Sequence, residues 1–298
     1  MAGRLARATP FDPGAPVICI GNIVAGGAGK TPVALAVMER LQRSGLRGGF
    51  LSRGYGGSIK DPTRVDPALH SSRQVGDEPL LLARRVPTWI GRDRVATARL
   101  AVQAGVNVLV MDDGLQNPSL VKRLSILVID GQYGFGNGRV MPAGPLREPV
   151  AEALKRVEVI VVLGACSSGL RKDLPDHIPI LTARFQPAPE DDEISGKPVV
   201  AFAGIGRPEK FFETLAGMGC DLIDVHPFPD HHYYSTDEIM HLIDSAAAAG
   251  AIVVTTEKDM VRVPEEARNM VRSLRVELDW EDTDALDEIL SQITSTRA

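Results

Sequence analysis

Short apolar runs rich in β-branched residues recur along the first part of the chain, separated by polar and glycine-containing segments. They lie at 17–20, 106–111, 126–129, 157–163 and 178–181. Continuous apolar runs of this length are typical of strands that are buried on both faces of a parallel sheet. Helical periodicity at 32–44 and 93–104 separates some of them. This alternation predicts an α/β fold with a mainly parallel sheet flanked by helices.

The pattern is interrupted once, at 186–197, where Pro, Asp and Glu accumulate without periodicity and predict a linker. The alternation then resumes, which predicts a second, smaller α/β domain. Its expected strands and helices lie at 199–203, 208–217, 222–225, 236–249 and 252–255. We therefore place one domain at 1–190 and the other at 191–298.

Composition is that of an ordinary soluble protein, with 44% apolar and 24% charged residues among 298. The net charge of −5 gives no reason to expect nucleic-acid binding. Cys19, Cys166 and Cys220 show no CxxC spacing, which favours a reduced, cytoplasmic compartment over a structural zinc site. No window approaches the run of about 20 apolar residues of a transmembrane helix, and 1–15 lacks the apolar core of a signal peptide. Nothing in the sequence predicts a protein partner.

The strongest chemical signal is the segment 21–31, G-N-I-V-A-G-G-A-G-K-T, which follows the first predicted strand and opens the first helix. Glycines there let backbone N–H groups converge on phosphate oxygens at a helix N-terminus. Lys30 is expected to hold the β- and γ-phosphates of ATP, and the Thr31 hydroxyl to bind Mg²⁺. The expected nucleotide-binding residues are Gly26, Gly27, Gly29, Lys30 and Thr31.

This loop is a variant, because the first glycine of the G-x-x-x-x-G-K-T consensus falls on Val24. The alternative interpretation is a glycine-rich turn between a strand and a helix in which the Gly-Lys-Thr sequence is incidental.

A second signal, Asp112-Asp113, directly follows the apolar run 106–111. A carboxylate at the C-terminal end of a parallel strand, beside a phosphate loop, is where such folds hold Mg²⁺. Since successive side chains on a strand point in opposite directions, we expect one of the two aspartates to touch the metal directly. The alternative is a solvated acidic turn.

Further segments suggest a second substrate, which a kinase needs and a hydrolase does not. The first three are S-R-G-Y-G-G at 52–57, V-G-D-E-P at 75–79 and L-R-E-P at 146–149. They offer cations, carboxylates and an aromatic side chain next to predicted strand and helix ends.

Two more segments lie in the second predicted domain. Asp230-His231-His232 allows three interpretations: a zinc site, a surface turn, or a catalytic imidazole held by a carboxylate. The T-E-K-D sequence at 256–259 follows a predicted strand and is either functional or only a charged helix start.

Taken in order, these motifs resemble the tetraacyldisaccharide 4′-kinase family, the lipid A 4′-kinases, from about residue 17 to 259. The resemblance implies a P-loop kinase with a smaller C-terminal α/β lobe. It further implies transfer of the γ-phosphoryl group of ATP to the 4′-hydroxyl of a tetraacyldisaccharide 1-phosphate. The substrate would be met at the cytoplasmic face of the inner membrane.

The resemblance also implies residue roles. The expected metal ligands are Thr31, Asp112, Asp113 and Glu148, and the expected catalytic residues are Lys30, Arg147, Asp77 and His231. In this assignment Asp77 and His231 form a dyad that activates the acceptor hydroxyl. Members of the family commonly begin with a hydrophobic membrane-associated helix, and this sequence shows none. Either the natural N-terminus is longer or the protein meets the membrane through a surface patch.

Two other functions use the same nucleotide loop. A P-loop switch ATPase with a variant GGxGKT loop would cycle between partners without a phosphoryl acceptor. A nucleotide-gated binding module would bind ATP with negligible turnover.

Overall fold

The computed structural model describes residues 9–27 and 29–294. The strands are β1 Val17–Gly21, β2 Gly48–Ser52, β3 Thr63–Arg64, β4 Thr88–Ile90, β5 Val108–Asp112, β6 Leu124–Asp130, β7 Val159–Leu163, β8 Ile180–Pro187, β9 Pro198–Ala203, β10 Asp221–Pro227, β11 Ile252–Thr256, β12 Val271–Leu274 and β13 Val276–Trp280. The α-helices are α1 Lys30–Arg43, α2 Ser72–Val75, α3 Asp77–Ala83, α4 Arg94–Gln103, α5 Val150–Leu154, α6 Ser168–Asp173, α7 Pro208–Gly217, α8 Thr236–Ala248, α9 Glu257–Met260 and α10 Thr283–Thr294. Short 3₁₀ helices cover Pro189–Ile194 and Glu265–Met270.

These elements form two compact units. The first unit contains the described residues up to Phe185 together with the described residues from Leu278 onward, and the second unit is Gln186–Glu277. Each unit has its own sheet and its own apolar clusters.

The sheet of the first unit has the strand order β13-β8-β7-β6-β1-β5-β2-β4-β3. Its central strand, β1, pairs in parallel with both β5 and β6, and β3 pairs antiparallel with β4. Every residue of β1, β5, β6 and β7 is buried, which explains their uninterrupted apolar sequences. The carboxyl ends of β1 and β5 therefore lie side by side at one edge of the sheet. The predicted fold class is confirmed.

Helix α1 packs on one face of this sheet and thereby positions the first residues of the site. Its buried positions recur with helical spacing: Val33, Ala34, Val37, Met38 and Leu41. They pack on the apolar side chains of β1 and β5, including Ile18, Ile20 and Val110. The N-terminus of α1 is thereby held at the carboxyl edge of β1.

The second unit is built on a parallel sheet in the order β10-β9-β11-β12. Helix α7 packs Phe211 and Leu215 into one apolar cluster, and helix α8 packs Ile239 and Leu242 into another. The central strand β9 contributes to both clusters, because its alternate side chains point to opposite faces.

The C-terminal segment differs from the predicted domain division of 1–190 and 191–298. Strand β13 lies beside β8 in the larger sheet, and helix α10 packs Leu286 and Leu290 into the same apolar cluster as α1. The chain therefore returns to the first unit, because the apolar face of α10 is buried there. The predicted linker at 186–197 is also partly regular, with the end of β8 and the first 3₁₀ helix.

No helix in the described part of the chain is long and apolar enough to cross a membrane. The expectation that no hydrophobic helix begins the chain concerns residues 1–8, which lie outside the described residues.

Candidate phosphate-transfer site

The glycine-rich loop lies between the carboxyl end of β1 and the first residue of α1, as the sequence predicted. Gly29 caps the helix in the left-handed region at φ +79°, and Gly26 has φ +109°. A Cβ atom on Gly29 would overlap the Leu163 side chain, so the backbone conformation and the packing both require glycine. Lys30 and Thr31 open the helix.

Thr31 and Asp112 form the central contact of the site. The Thr31 hydroxyl donates a hydrogen bond to Asp112 Oδ2 over 3.2 Å. Asp112 is 3% exposed, and its Oδ1 atom has no hydrogen-bond partner among the described residues. A buried carboxylate oxygen without a donor is costly unless a cation binds it. A hydroxyl beside a carboxylate is the oxygen-rich environment that Mg²⁺ prefers.

Electrostatics of this carboxylate agree with a cation site. Burial raises the pKa of Asp112 to about 7, and the carboxylates of Glu78 and Asp113 contribute to that rise. Lys30 and the hydrogen bond from Thr31 act in the opposite direction. The negative charge is thus poorly compensated by the protein alone, and a bound cation would stabilise it.

Asp113 lies in a different environment. It follows the end of β5 with φ +53°, and both of its carboxylate oxygens accept hydrogen bonds from Arg147 Nη1, at 2.8 and 3.0 Å. Lys30 Nζ lies 3.6 Å from Asp113 Oδ1. The two aspartates therefore diverge, as expected for neighbours at a strand end. Asp112 is directed to the Thr31 hydroxyl and Asp113 to two cations.

Arg147 and Glu148 reach the site because their segment runs along the glycine-rich loop. Ala25 N donates to Pro145 O over 2.8 Å, and Arg147 N donates to Ile23 O over 2.7 Å. Glu148 accepts hydrogen bonds from Arg156 Nη2 at 2.7 and 2.8 Å.

Asn22 and Gln116 belong to the site although the sequence did not assign them a role. Asn22 is fully buried, and its side-chain oxygen accepts a hydrogen bond from Lys30 Nζ over 3.3 Å. Gln116 Nε2 donates to Asn22 O over 2.9 Å and to Glu148 Oε1 over 3.0 Å. Through Asn22 and Gln116, these hydrogen bonds connect Lys30 to Glu148 of the 146–149 segment. The available signal in the sequence was a polar side chain within each of two motifs, Asn22 in the glycine-rich loop and Gln116 after the two aspartates.

The segments 52–57 and 75–79 pack together at the same edge of the sheet. A Cβ atom on Gly76 would lie 2.4 Å from Tyr55 O, and one on Gly54 would lie 3.3 Å from Val75 O. Asp77 is buried at the start of α3. The neighbouring Glu78 is close enough to raise the pKa of Asp112.

Arg94 binds the backbone at this edge of the sheet. Its guanidinium is buried and donates hydrogen bonds to Ser52 O and Gly91 O. Burial lowers the pKa of Arg94 to about 10, while Asp112 and Asp113 act to raise it. Charged groups of the segments 52–57 and 75–79 therefore lie near the Asp112-Asp113 pair, where β2 and β5 end.

His231 belongs to the second unit, in the turn that follows β10. It has φ +62°, and its Nε2 lies 3.8 Å from Asp230 Oδ1. His232 is engaged elsewhere: its Nε2 lies 3.1 Å from Glu238 Oε1, and its ring stacks on Phe228 at 4.8 Å. The described residues contain no group of three or more His, Cys, Asp or Glu side chains arranged to hold a metal ion, so the zinc interpretation gains no support there. Asp77 and His231 lie in different units, and their pairing stays a prediction.

The T-E-K-D segment is a helix start with one unusual member. The Thr256 hydroxyl accepts a hydrogen bond from Asp259 N, which caps α9. Asp259 itself is fully buried, unlike an ordinary charge at a helix start.

Comparison with known proteins identifies relatives over the whole chain. The sequence matches the family described as "Tetraacyldisaccharide-1-P 4'-kinase" over residues 2–295. The tetraacyldisaccharide 4'-kinase of Rhodospirillum centenum is 52% identical over 293 residues, which is 98% of this chain and 87% of that protein. That of Rhodospirillum rubrum is 48% identical over 97% of this chain and 89% of its own length.

A solved structure shares the fold. The crystal structure of LpxK from Aquifex aeolicus in complex with ATP has a TM-score of 0.77 and 24% sequence identity. The match covers 98% of this chain and 92% of that chain.

Proposed function

This chain belongs to the tetraacyldisaccharide-1-P 4′-kinase family and is an ATP-dependent lipid A 4′-kinase, and from that premise we propose which of its residues perform the transfer. The reaction moves the γ-phosphoryl group of ATP to the 4′-hydroxyl of a tetraacyldisaccharide 1-phosphate. The observation that carries the assignment is the hydrogen bond from Thr31 to the buried Asp112. It lies at the N-terminus of helix α1, which begins at Lys30.

Phosphate binding falls to the loop and to Lys30. The backbone N–H groups at Gly26, Gly27 and Gly29, together with the helix N-terminus, form a site for the phosphate oxygens. Lys30 exchanges its contacts with Asn22 and Asp113 for the β- and γ-phosphates. Its charge then offsets the negative charge of the transferring group.

Mg²⁺ fits the residues present. Thr31 Oγ1 and Asp112 would hold it, and the unpartnered Oδ1 of Asp112 is the observation that favours a cation there. When bound, Mg²⁺ supplies neutralisation of the β- and γ-phosphate oxygens. Asp113 and Glu148, which are also in the predicted metal set, accept hydrogen bonds from Arg147 and Arg156, and their direct contact with the metal stays a prediction.

Arg147 is the proposed phosphate contact. Asp113 holds its guanidinium beside the loop with two hydrogen bonds, and the arginine side chain is 26% exposed. A planar guanidinium binds carboxylate and phosphate in the same way, so Arg147 can move from Asp113 to a phosphoryl oxygen. Asp113 therefore keeps Arg147 in position before ATP binds.

Activation of the acceptor falls to Asp77 and His231. An imidazole has the pKa for proton transfer near neutral pH, and a carboxylate can orient it and stabilise its protonated form. In this assignment the proton of the 4′-hydroxyl passes to the dyad as the oxygen attacks the γ-phosphorus. The leaving group is ADP.

The lipid acceptor sets the place of action. Acyl chains confine a tetraacyldisaccharide to a membrane, and ATP is supplied in the cytoplasm. The chain is therefore proposed to act at the cytoplasmic face of the inner membrane, with the lipid disaccharide as its partner.

The relatives are kinases, and a switch ATPase is not favoured. ADP formation with and without a lipid disaccharide in detergent micelles tests the proposal. We expect ADP formation to depend on the disaccharide and to stop when Mg²⁺ is removed with EDTA. Equal ADP formation without the acceptor would support the switch ATPase instead.

A further inference from the structure

The buried carboxylate of Asp259 lies at the centre of a polar cluster inside the second unit. Its Oδ1 atom accepts hydrogen bonds from Gly204 N over 2.9 Å and from the Tyr234 hydroxyl over 2.8 Å. The same atom pairs with the guanidinium of Arg262, whose side chain is fully buried. The Thr256 hydroxyl donates to Oδ2 over 2.6 Å. A buried acid and base this well satisfied hold their surroundings in one arrangement.

This cluster contacts the backbone on both sides of His231. His231 N donates to Gly204 O over 3.0 Å, and Arg262 Nη2 donates to that same carbonyl over 2.9 Å. On the other side, Arg262 Nη1 donates to His232 O over 3.0 Å. The turn is therefore attached to Arg262 directly at His232 and, through the Gly204 carbonyl, at the amide of His231.

His231 has a strained backbone conformation that these hydrogen bonds hold in place. Its φ of +62° is in the left-handed region, which costs a non-glycine residue energy and persists where surrounding contacts impose it. Gly204 is part of the fit: a Cβ atom there would lie 2.9 Å from the Tyr234 hydroxyl and 3.2 Å from Asp259 Oδ1. Packing leaves no room for another residue at this point of the cluster.

We propose that Asp259, Arg262 and Tyr234 are positioning residues that set the backbone conformation of His231. The T-E-K-D segment then has a role beyond starting α9: its last residue fixes the turn that carries the imidazole. This inference rests on the proposed role of His231 in the reaction, and its test separates the two.

The main test variant is Tyr234→Phe, which removes one hydrogen bond to Asp259 without removing a charge. Asp259→Asn is the stronger variant, and it leaves a buried guanidinium without its carboxylate. A hydrogen bond to a charged group corresponds to roughly a tenfold effect or more. We expect Tyr234→Phe to accelerate hydrogen exchange of the His231 amide about tenfold and to lower kcat by a similar factor. The KM for ATP should change less than about twofold.

The matched control is Tyr233→Phe, which removes the same hydroxyl from the neighbouring, 38% exposed tyrosine. Its His231 amide exchange and kcat should equal those of wild type. A kcat loss from Tyr234→Phe should disappear in a His231→Ala background, because the hydroxyl acts only through His231. The same fractional loss with and without His231 would overturn the positioning role, and so would unchanged amide exchange.

If His231→Ala alone keeps wild-type kcat, the catalytic assignment of His231 fails. Amide exchange still decides the positioning claim in that case, since it measures the turn directly. Faster exchange in Tyr234→Phe and Asp259→Asn supports the claim, and unchanged exchange in both rejects it.

Discussion

At the scale of single residues, the two adjacent aspartates of the site have separate tasks. Asp112 is buried against Thr31, whereas Asp113 is paired with Arg147 and lies near Lys30. We expect Asp112→Asn to lower kcat by about 10²-fold or more and to raise the Mg²⁺ concentration needed for half-maximal rate. Asp113→Asn should raise the KM for ATP and leave the Mg²⁺ requirement near that of wild type. Steady-state kinetics across a Mg²⁺ titration measure both, and identical mild effects would place the metal elsewhere.

Asp112 also makes stability depend on pH. Its folded pKa of about 7 lies above its ordinary value of 3.8, chiefly because of burial. The folded state therefore holds this proton more tightly, and stability is lost as pH rises through the interval between these two values. The Asp112→Asn variant carries an amide that cannot titrate, so it avoids this loss. Without Mg²⁺ at pH 8, Asp112→Asn should melt a few degrees above wild type, and near pH 4 the difference should vanish.

Differential scanning calorimetry in EDTA at both pH values checks this expectation. A lower melting temperature for Asp112→Asn at pH 8 would show that the carboxylate is compensated by the protein itself. Wild-type protein with Mg²⁺ should recover the difference, because a ligand that binds the folded state stabilises it.

At the scale of elements, the glycine-rich loop depends on the left-handed conformation of Gly29. An alanine at this position meets both a strained backbone, worth about 1–2 kcal/mol, and the side chain of Leu163. Gly29→Ala should lower the melting temperature by several degrees and weaken ATP binding at least about tenfold. The matched substitution is Gly27→Ala, where a Cβ atom meets nothing within 4 Å. It should keep the melting temperature of wild type, and equal destabilisation by both would contradict the packing argument.

Two-sided burial made several strands predictable from the sequence, although β2 and β4, whose residues are all buried as well, are not among the predicted apolar runs. The apolar runs of β1, β5, β6 and β7 indicated a parallel sheet because side chains on both faces of these strands are buried. The return of β13 and α10 to the first unit was not predictable in this way. An amphipathic helix shows that it has an apolar face but not which sheet covers that face.

The residues of the site were likewise only partly predictable from the sequence. Lys30, Thr31 and Asp112 were predictable because a strand end, a glycine loop and a helix start place them locally. The roles of Asn22 and Gln116 were not, since they depend on a hydrogen bond between residues far apart in the chain. Asp259 was recognised only as part of a motif, because burial of a charged residue is invisible in its own sequence context.

At the scale of the whole molecule, Asp77 and His231 belong to different units and are proposed to serve one step. Residues that act as one catalytic unit show non-additive effects. Asp77→Ala and His231→Ala should each lower kcat about 10²-fold, and the double variant should be little worse than the poorer single one. ATP affinity, measured by calorimetric titration, should stay near wild type in all three. Additive losses in kcat would mean that the two residues serve separate steps.

The whole account depends on a lipid acceptor for the phosphoryl group. The most direct measurement is the transfer of label from γ-³²P-ATP to a tetraacyldisaccharide 1-phosphate in mixed micelles, followed by location of the label on the product. We predict that wild type places the label at the 4′-hydroxyl and that Lys30→Ala, which loses the cation at the γ-phosphate, lowers the rate about 10²-fold or more. The control is Lys155→Ala, which removes an exposed lysine paired with Glu152 on the surface. Its transfer rate should match that of wild type. Label released only as inorganic phosphate, with none on the lipid, would contradict the assignment.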